Sequence, residues 1–440
     1  MTPGGNPLTH RRVLALALPV VASNATVPLV GIVDTAVVGQ LGAAAPIGAV
    51  GMGAIILSTL FWVFGALRLS TVGLVGQALG AGDRDEVAAG LSRALLVAGV
   101  AGGALIALQW PIFAFAFWLS PASAEVEGLT RTYLAIRIWT APAAIGIYAI
   151  TGWLVAMGRT GRLFWMQLVT NGSNVGLSVA LGLWLDMGVA GVALATVIAE
   201  LAGAALGLWY CRSAFANPAW RDRGRVLARA QLVKMGLLNS DLMIRSALQM
   251  IIFSSFVFLG ARFGDVTLAA NEVLIQLVYF SAYAMDGFAV AAETLVSHAY
   301  GRRARAEVRS AALRTSAWGL GFCVAIGLLY LVAGPALIDL MARDAEVRAA
   351  ARDFLPWLVV APVIGCASWM LDGIFVGAAR GRDMRNSMIV NFVLYWLAVL
   401  ALLPALGNTG LWIAILLSFT VRGITLGWRY PALERDAALA

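Results

Sequence analysis

The chain has 440 residues, of which 61% are hydrophobic and only 12% charged, with a net charge of +8. About a quarter of an ordinary globular domain is charged, so this composition excludes a soluble enzyme or a soluble binding module. Cys211, Cys323 and Cys366 are too widely spaced for a disulfide framework or a metal site.

The apolar residues come in blocks of about twenty or more, the length that crosses the hydrocarbon of a bilayer as a helix. Twelve spans are predicted, at 13–38, 45–78, 89–119, 132–157, 163–185, 189–210, 238–260, 267–300, 311–333, 354–379, 387–404 and 409–428. The first run is too long for a cleavable signal peptide. With the N-terminus inside, 22 of the 31 Lys and Arg residues lie in inner segments or at the inner ends of spans, five in outer loops and four deeper within spans. That asymmetry places both termini on the cytoplasmic side of the membrane. It also accounts for the basic surplus without nucleic acid, since no aromatic-interleaved recognition motif accompanies it.

Span one carries Asp34 deep in an apolar run, where a carboxylate is costly and marks a functional site or a partner. Six residues upstream, Pro28 lacks an N–H and frees the carbonyl of Asn24, and Gly31 lies between. These residues make either a hinge that bends as the acid titrates or a static kink solvated by its neighbours. Arg68 in span two and Glu200 in span six are charges for which the sequence names no partner.

In span five, Gln167, Asn171, Asn174 and Ser178 follow spacings of 4, 3 and 4 and share about 60° of arc. In span eight, Glu272, Gln276, Tyr279, Tyr283, Asp286, Glu293 and Ser297 share about 100°. Such rows either hydrogen-bond to neighbouring helices, at about 1 kcal/mol per contact, or line a water-accessible cavity. Three carboxylates in the second row, Glu272, Asp286 and Glu293, favour the cavity. Asn239, Asp241 and Arg245 in span seven, with Asp372 in span ten, read as a structural polar cluster in which Asp241 and Arg245 can pair at i,i+4.

The chain is also written twice. Leu74, Val75, Ala78, Gly80, Glu86 and Val87 recur as Leu295, Val296, Ala299, Gly301, Glu307 and Val308, a constant offset of 221 that also carries Gly152 to Gly373 and Arg159 to Arg380. Six spans per half is an even number, so the halves enter the membrane in the same direction, with a substrate site near the midplane. The fold class expected is therefore an all-α integral membrane protein, twelve transmembrane helices in two parallel-oriented six-helix lobes. The expected divisions are a first lobe at 1–212, a cytoplasmic linker at 213–234 and a second lobe at 235–440. No GxSxG, HExxH or Walker A sequence is present. The chain therefore reads as a transporter driven by an ion gradient, with no cofactor and no metal.

Five segments carry a family resemblance: VDTAVVGQLG (33–42), NVGLSVALGLWLDMGVAGVALATVIAE (174–200), LNSDLMIRS (238–246), AYAMDGFAVAAETLVSHAYG (282–301) and SWMLDGIFVGAARGRDMRN (368–386). In that order, on a duplicated chain, they resemble the multidrug and toxic compound extrusion (MATE) family, in its DNA-damage-inducible protein F (DinF) branch. The resemblance implies an antiporter exporting organic cationic or amphipathic compounds in exchange for H⁺ or Na⁺. It implies Asp34 as the protonation site, with Asn174 and Thr196 around it. Some relatives carry a second acid where this chain has Ser178, a departure that favours H⁺ over Na⁺. The expected partners are small organic substrates and the lipid bilayer, and the expected state is a monomer. A lipid-linked precursor flippase of the same bundle should show extra spans or several cavity arginines. A non-transporting receptor or scaffold would use both polar rows only as helix contacts.

Overall fold

The computed structural model describes residues 8–26, 33–34, 36–40, 44–119 and 122–438. Among these residues every regular element is helical. In the first half, α1 (His10–Asn24) precedes a helical stretch at 36–39, and α2 (Ala44–Trp62) runs through a 3-10 turn into α3 (Ala66–Gly80). Next come α4 (Arg84–Ala107), α5 (Gln109–Leu119), α6 (Ala124–Arg137) continuing into α7 (Ala141–Ala156), α8 (Thr160–Val179) and α9 (Gly188–Tyr210). The second half holds α10 (Arg229–Gly260), α11 (Asp265–Gly301), α12 (Arg305–Met341), α13 (Ala345–Gly377), α14 (Gly381–Leu406) and α15 (Asn408–Asp436).

Ten helices or end-to-end helix runs among the described residues are long and apolar enough to cross a membrane. The first expected span includes residues outside the described set. The fifth, α8, is less apolar because of Gln167, Asn171 and Asn174, and it ends in a π turn at Ala180–Trp184. The third, expected as one run over 89–119, breaks at Leu108 into α4 and the shorter α5. Trp110, Trp118, Trp184 and Trp428 are at least 75% exposed, as suits the aromatic belt of a lipid-facing exterior.

The chain packs as two compact units, one of residues 22–235 and the other of residues up to 21 together with those from 236 onward. The beginning of α1 thus belongs with the second unit. A Cβ on Gly287 of α11 would stand 2.7 Å from the carbonyl oxygen of Ala17. The segment expected as a linker is folded onto the first unit in short helical turns. Buried Arg93 of α4 donates from Nε to the Val226 carbonyl at 3.1 Å and from Nη2 to the Arg225 carbonyl at 2.7 Å, and its Nη1 meets Glu86 at 2.7 Å.

The duplication is expressed in backbone geometry. A Cβ on Gly152 would lie 2.5 Å from the Arg68 carbonyl oxygen, and a Cβ on Gly373 would lie 2.5 Å from that of Ala289. Each of these four positions matches its counterpart at the offset of 221. The left-handed turns repeat too, from Gly82 (φ 81°) to Arg303 (φ 56°) and from Gly158 (φ 65°) to Ala379 (φ 55°). The first half uses glycine where this conformation costs little, and the second tolerates side chains there.

Candidate functional site

The polar face of α8 is zipped to span one. Ser178 Oγ donates to Asp34 Oδ1 at 2.8 Å, Asn171 Nδ2 donates to Thr26 Oγ1 at 2.8 Å, and Ser23 Oγ bonds Gln167 Oε1. The partners are separated by 144, 145 and 144 residues. A constant difference in number means that the two helices run parallel and in register. The remaining member of the row, Asn174, turns to α9, where its Nδ2 donates to Thr196 Oγ1 at 2.8 Å. Thr196 in turn donates to the carbonyl of Val192. In the second unit α10 and α14 are parallel too, since Asp241 meets Arg385 and Ser255 meets Tyr395, 144 and 140 residues apart.

Asn174 and Ser178 are therefore one turn apart on α8, with Asp34 of span one bonded to Ser178 and Thr196 of α9 bonded to Asn174. Asp34 is half-buried and Ser178 fully buried. Asn171 holds span one further inward, and Asn24 closes α1 half-buried. Pro28 and Gly31, the predicted hinge, lie outside the described residues.

A second buried group sits beside this one. Arg137 of α6 pairs with Glu200 of α9 at 2.8 Å, and its Nη1 lies 3.4 Å from Tyr133 Oη. The Arg137 guanidinium interacts electrostatically with Asp34 as well as Glu200. Sequence reasoning missed this pair. Its members are 63 residues apart, and each stands alone in an apolar run.

In the second unit the row on α11 does not behave as one surface. Gln276 is exposed and donates to Glu272 Oε1 at 2.8 Å, while Tyr283 is exposed. Tyr279 packs its ring against Phe253, with centroids 5.4 Å apart and planes tilted by 46°. Asp286 is half-buried and Glu293 fully buried.

The expected i,i+4 pair of Asp241 and Arg245 is corrected by the structure. Asp241 accepts from Arg385 Nη1 of α14 at 2.6 Å, whereas Arg245 bonds Asp372 of α13. Asp372 also accepts from Arg422 of α15 at 2.8 Å. Pairing across helices neutralises charges that would otherwise be buried on separate elements, where an unpaired charge is far costlier than an exposed one. Asn239 is half-buried beside this network with Oδ1 unpartnered.

Outside the spans, burial pushes the Cys211 thiol up to about 12, against the opposing pull of Arg159 and Arg162. Among the described residues no cluster of three or more His, Cys, Asp or Glu could hold a metal.

A family profile described as MatE matches residues 19–180 and again 242–403, one copy in each half. The chain is 38% identical over 429 residues to the DNA damage-inducible protein F of Escherichia coli (strain K12), covering 94% of this chain and 91% of that one. It is 26% identical over 467 residues to a Rhizobium meliloti (strain 1021) protein called "Probable multidrug resistance protein NorM", covering 99% and 96%. Among solved structures, a MATE protein in the bent conformation superposes with a TM-score of 0.87 at 18% identity, over 97% of both chains. The Vibrio cholerae MATE transporter VcmN in its bent form gives 0.86 at 20% identity, over 98% of both.

Proposed function

We propose that this chain, which belongs to the MATE family of multidrug and toxic compound extrusion transporters, exports organic cationic or amphipathic compounds in exchange for protons, with Asp34 as the coupling acid. Membership makes it a multi-pass membrane transporter rather than an enzyme. The observation that carries the proton reading is the contact of Asp34 with Ser178, a hydroxyl donor rather than a second carboxylate. A Na⁺ site of high affinity calls for several oxygen ligands, and a proton needs one.

The mechanism follows from the zipper on α8. With Asp34 ionised, the bond from Ser178 is charge-assisted and among the stronger kinds. A proton arriving from the outer side neutralises Asp34 and reduces that bond to an ordinary one, worth about 0.5–1.5 kcal/mol. The first span is then freer to bend at Pro28 and Gly31, and the site loses both charge and volume, which releases a bound cation. Reopening inward returns the proton to the cytoplasm. The excess of Lys and Arg on one side supports an inner-membrane location with both termini cytoplasmic. The chain functions as a monomer in this reading.

Efflux of ethidium from everted vesicles, driven separately by a proton gradient and a Na⁺ gradient, tests the proposal. Export should collapse with a protonophore, ignore Na⁺ and be abolished by Asp34→Asn. Export that follows Na⁺ alone, or survives Asp34→Asn, would refute it.

A further inference from the structure

The buried pair Arg137–Glu200 has no part in the zipper, yet it belongs to the same column of side chains. Ser178 and Asn174 are one turn apart on α8, Asn174 reaches Thr196 at 2.8 Å, and Thr196 and Glu200 are one turn apart on α9. Arg137 closes the column with side chains 10% and 16% exposed for itself and Glu200. Asn174 Oδ1, Glu200 Oε2 and Arg137 Nε are buried along it without partners. The Tyr133 hydroxyl is under the influence of Arg137, Asp34 and Glu200 together. Further along, Glu200 and Arg68 both act on Tyr148, and Arg68 is itself engaged.

The fold does not require this pair, and the repeat is the internal control. At the offset of 221, Arg137 corresponds to Leu358 and Glu200 to Val421. The registers agree where they can be checked: α6 begins at Ala124 and α13 at Ala345, and the left-handed residue before α9, Asp186, matches Gly407 before α15. Leu358 is fully buried in the second unit's core. The same helix position is thus occupied by an apolar side chain in one unit and by a buried cation in the other. Buried ion pairs are seldom retained for stability, since apolar replacements are often as stable or more so.

We propose that Arg137 and Glu200 set the charge of the transport site, so that the lobe exchanges one proton for one monovalent cation. Two carboxylates and one guanidinium leave a single negative charge when Asp34 is ionised and none when it is protonated. Without Arg137 the column holds two negative charges and suits a dication or two protons. Without Glu200 it is neutral before any proton arrives, and a cation gains nothing by entering. The inference rests on Asp34 being the coupling acid.

The test uses purified full-length protein in liposomes with an imposed proton gradient, ethidium as monocation and methyl viologen as dication. Glu200→Gln should slow ethidium exchange by about tenfold or more, the scale of one unit charge acting across a partly buried site. Arg137→Leu should shift preference towards methyl viologen by about tenfold on the same ground. The double variant Arg137→Leu with Glu200→Val, which installs the second unit's own residues and leaves no unpaired charge, should recover ethidium exchange at one proton per cation. A folded double variant that does not exchange ethidium, or a Glu200→Gln protein that transports as the parent does, would overturn the proposal. Asp34→Asn is run in parallel: continued exchange in that variant brings down the coupling reading itself, whereas loss there combined with an unaffected Glu200→Gln brings down only the role of the pair.

Discussion

The seating of Asp34 depends on a glycine that no charge pattern announces. Gly182 lies in the π turn that ends α8, and a Cβ there would stand 2.8 Å from Val37 Cγ1 and 3.3 Å from Val192 Cγ2. Carbon atoms pack comfortably at about 3.5–4.0 Å, so in Gly182→Ala the Val37 side chain must retreat by roughly 1 Å. Val37 and Val38 are buried among Phe113, Phe117, Val189 and Val192, a close-packed setting that transmits strain. Asp34 is three residues upstream, and its 2.8 Å bond from Ser178 would stretch to roughly 3.8 Å, where no hydrogen bond remains. The overpacking costs about 1–3 kcal/mol, which leaves the protein folded with a melting temperature a few degrees lower. Transport should suffer far more, since misplacing a functional group by about 1 Å can slow a reaction about 100-fold. Val37→Ala in the same chain removes the obstructing methyl and should restore most of the export rate. The measurement is proton-driven ethidium export in everted vesicles, alongside thermal melting of the purified protein. Wild-type export by Gly182→Ala, or a double variant as slow as the single, would refute the argument.

Other positions make equally definite expectations. Arg93→Met removes two bonds to carbonyls of the segment 212–226, about 2 kcal/mol at about 1 kcal/mol each, and should speed tryptic cleavage after Arg221, Arg223 or Arg225 by about 30-fold; unchanged cleavage would contradict the clamp. Ala379→Gly relieves a residue held at φ 55° and should stabilise by about 1 kcal/mol, read as a higher melting temperature. The Cys211 thiol, raised from 9.0 to about 12, holds about a thousandfold less thiolate than an ordinary cysteine at pH 8. Its alkylation in the folded protein should therefore be slow. Because its folded value exceeds the unfolded one, it supports stability below about pH 9 and loses that support as pH rises towards 12; a melting temperature that climbs over this window would contradict the burial.

The sequence made faces legible because a helix has a fixed period. The spacing of Gln167, Asn171, Asn174 and Ser178 located one side of α8 correctly. It left open whether that side met water or another helix, and the structure gives Ser23, Thr26 and Asp34 as partners about 144 residues away. Asp241 and Arg245 were misjudged for the same reason. A single helix displays only its own i,i+3 and i,i+4 relations, and the partners chosen, Arg385 and Asp372, lie on other helices. The duplication, by contrast, was visible at once, because the close approaches at Gly152 and Gly373 tolerate no side chain and so keep their residue.

What the duplication preserved and what it changed point to different constraints on the two halves. The glycine approaches and left-handed turns recur at the same offset in both. The ionisable residues around Asp34 do not. Asp34 has Ser255 as its counterpart and Asn174 has Tyr395, and these two hydroxyls lie 2.9 Å apart as a neutral hydrogen-bonded pair. Ser178, Arg137 and Glu200 correspond to Val399, Leu358 and Val421. The helix-packing scaffold is therefore compatible with a wholly neutral interior at these positions. In the first unit it instead carries two acids and a guanidinium, each costly to bury. Charges that the scaffold can do without at these positions support the proposed reading, in which the unit containing Asp34 carries the coupling acid.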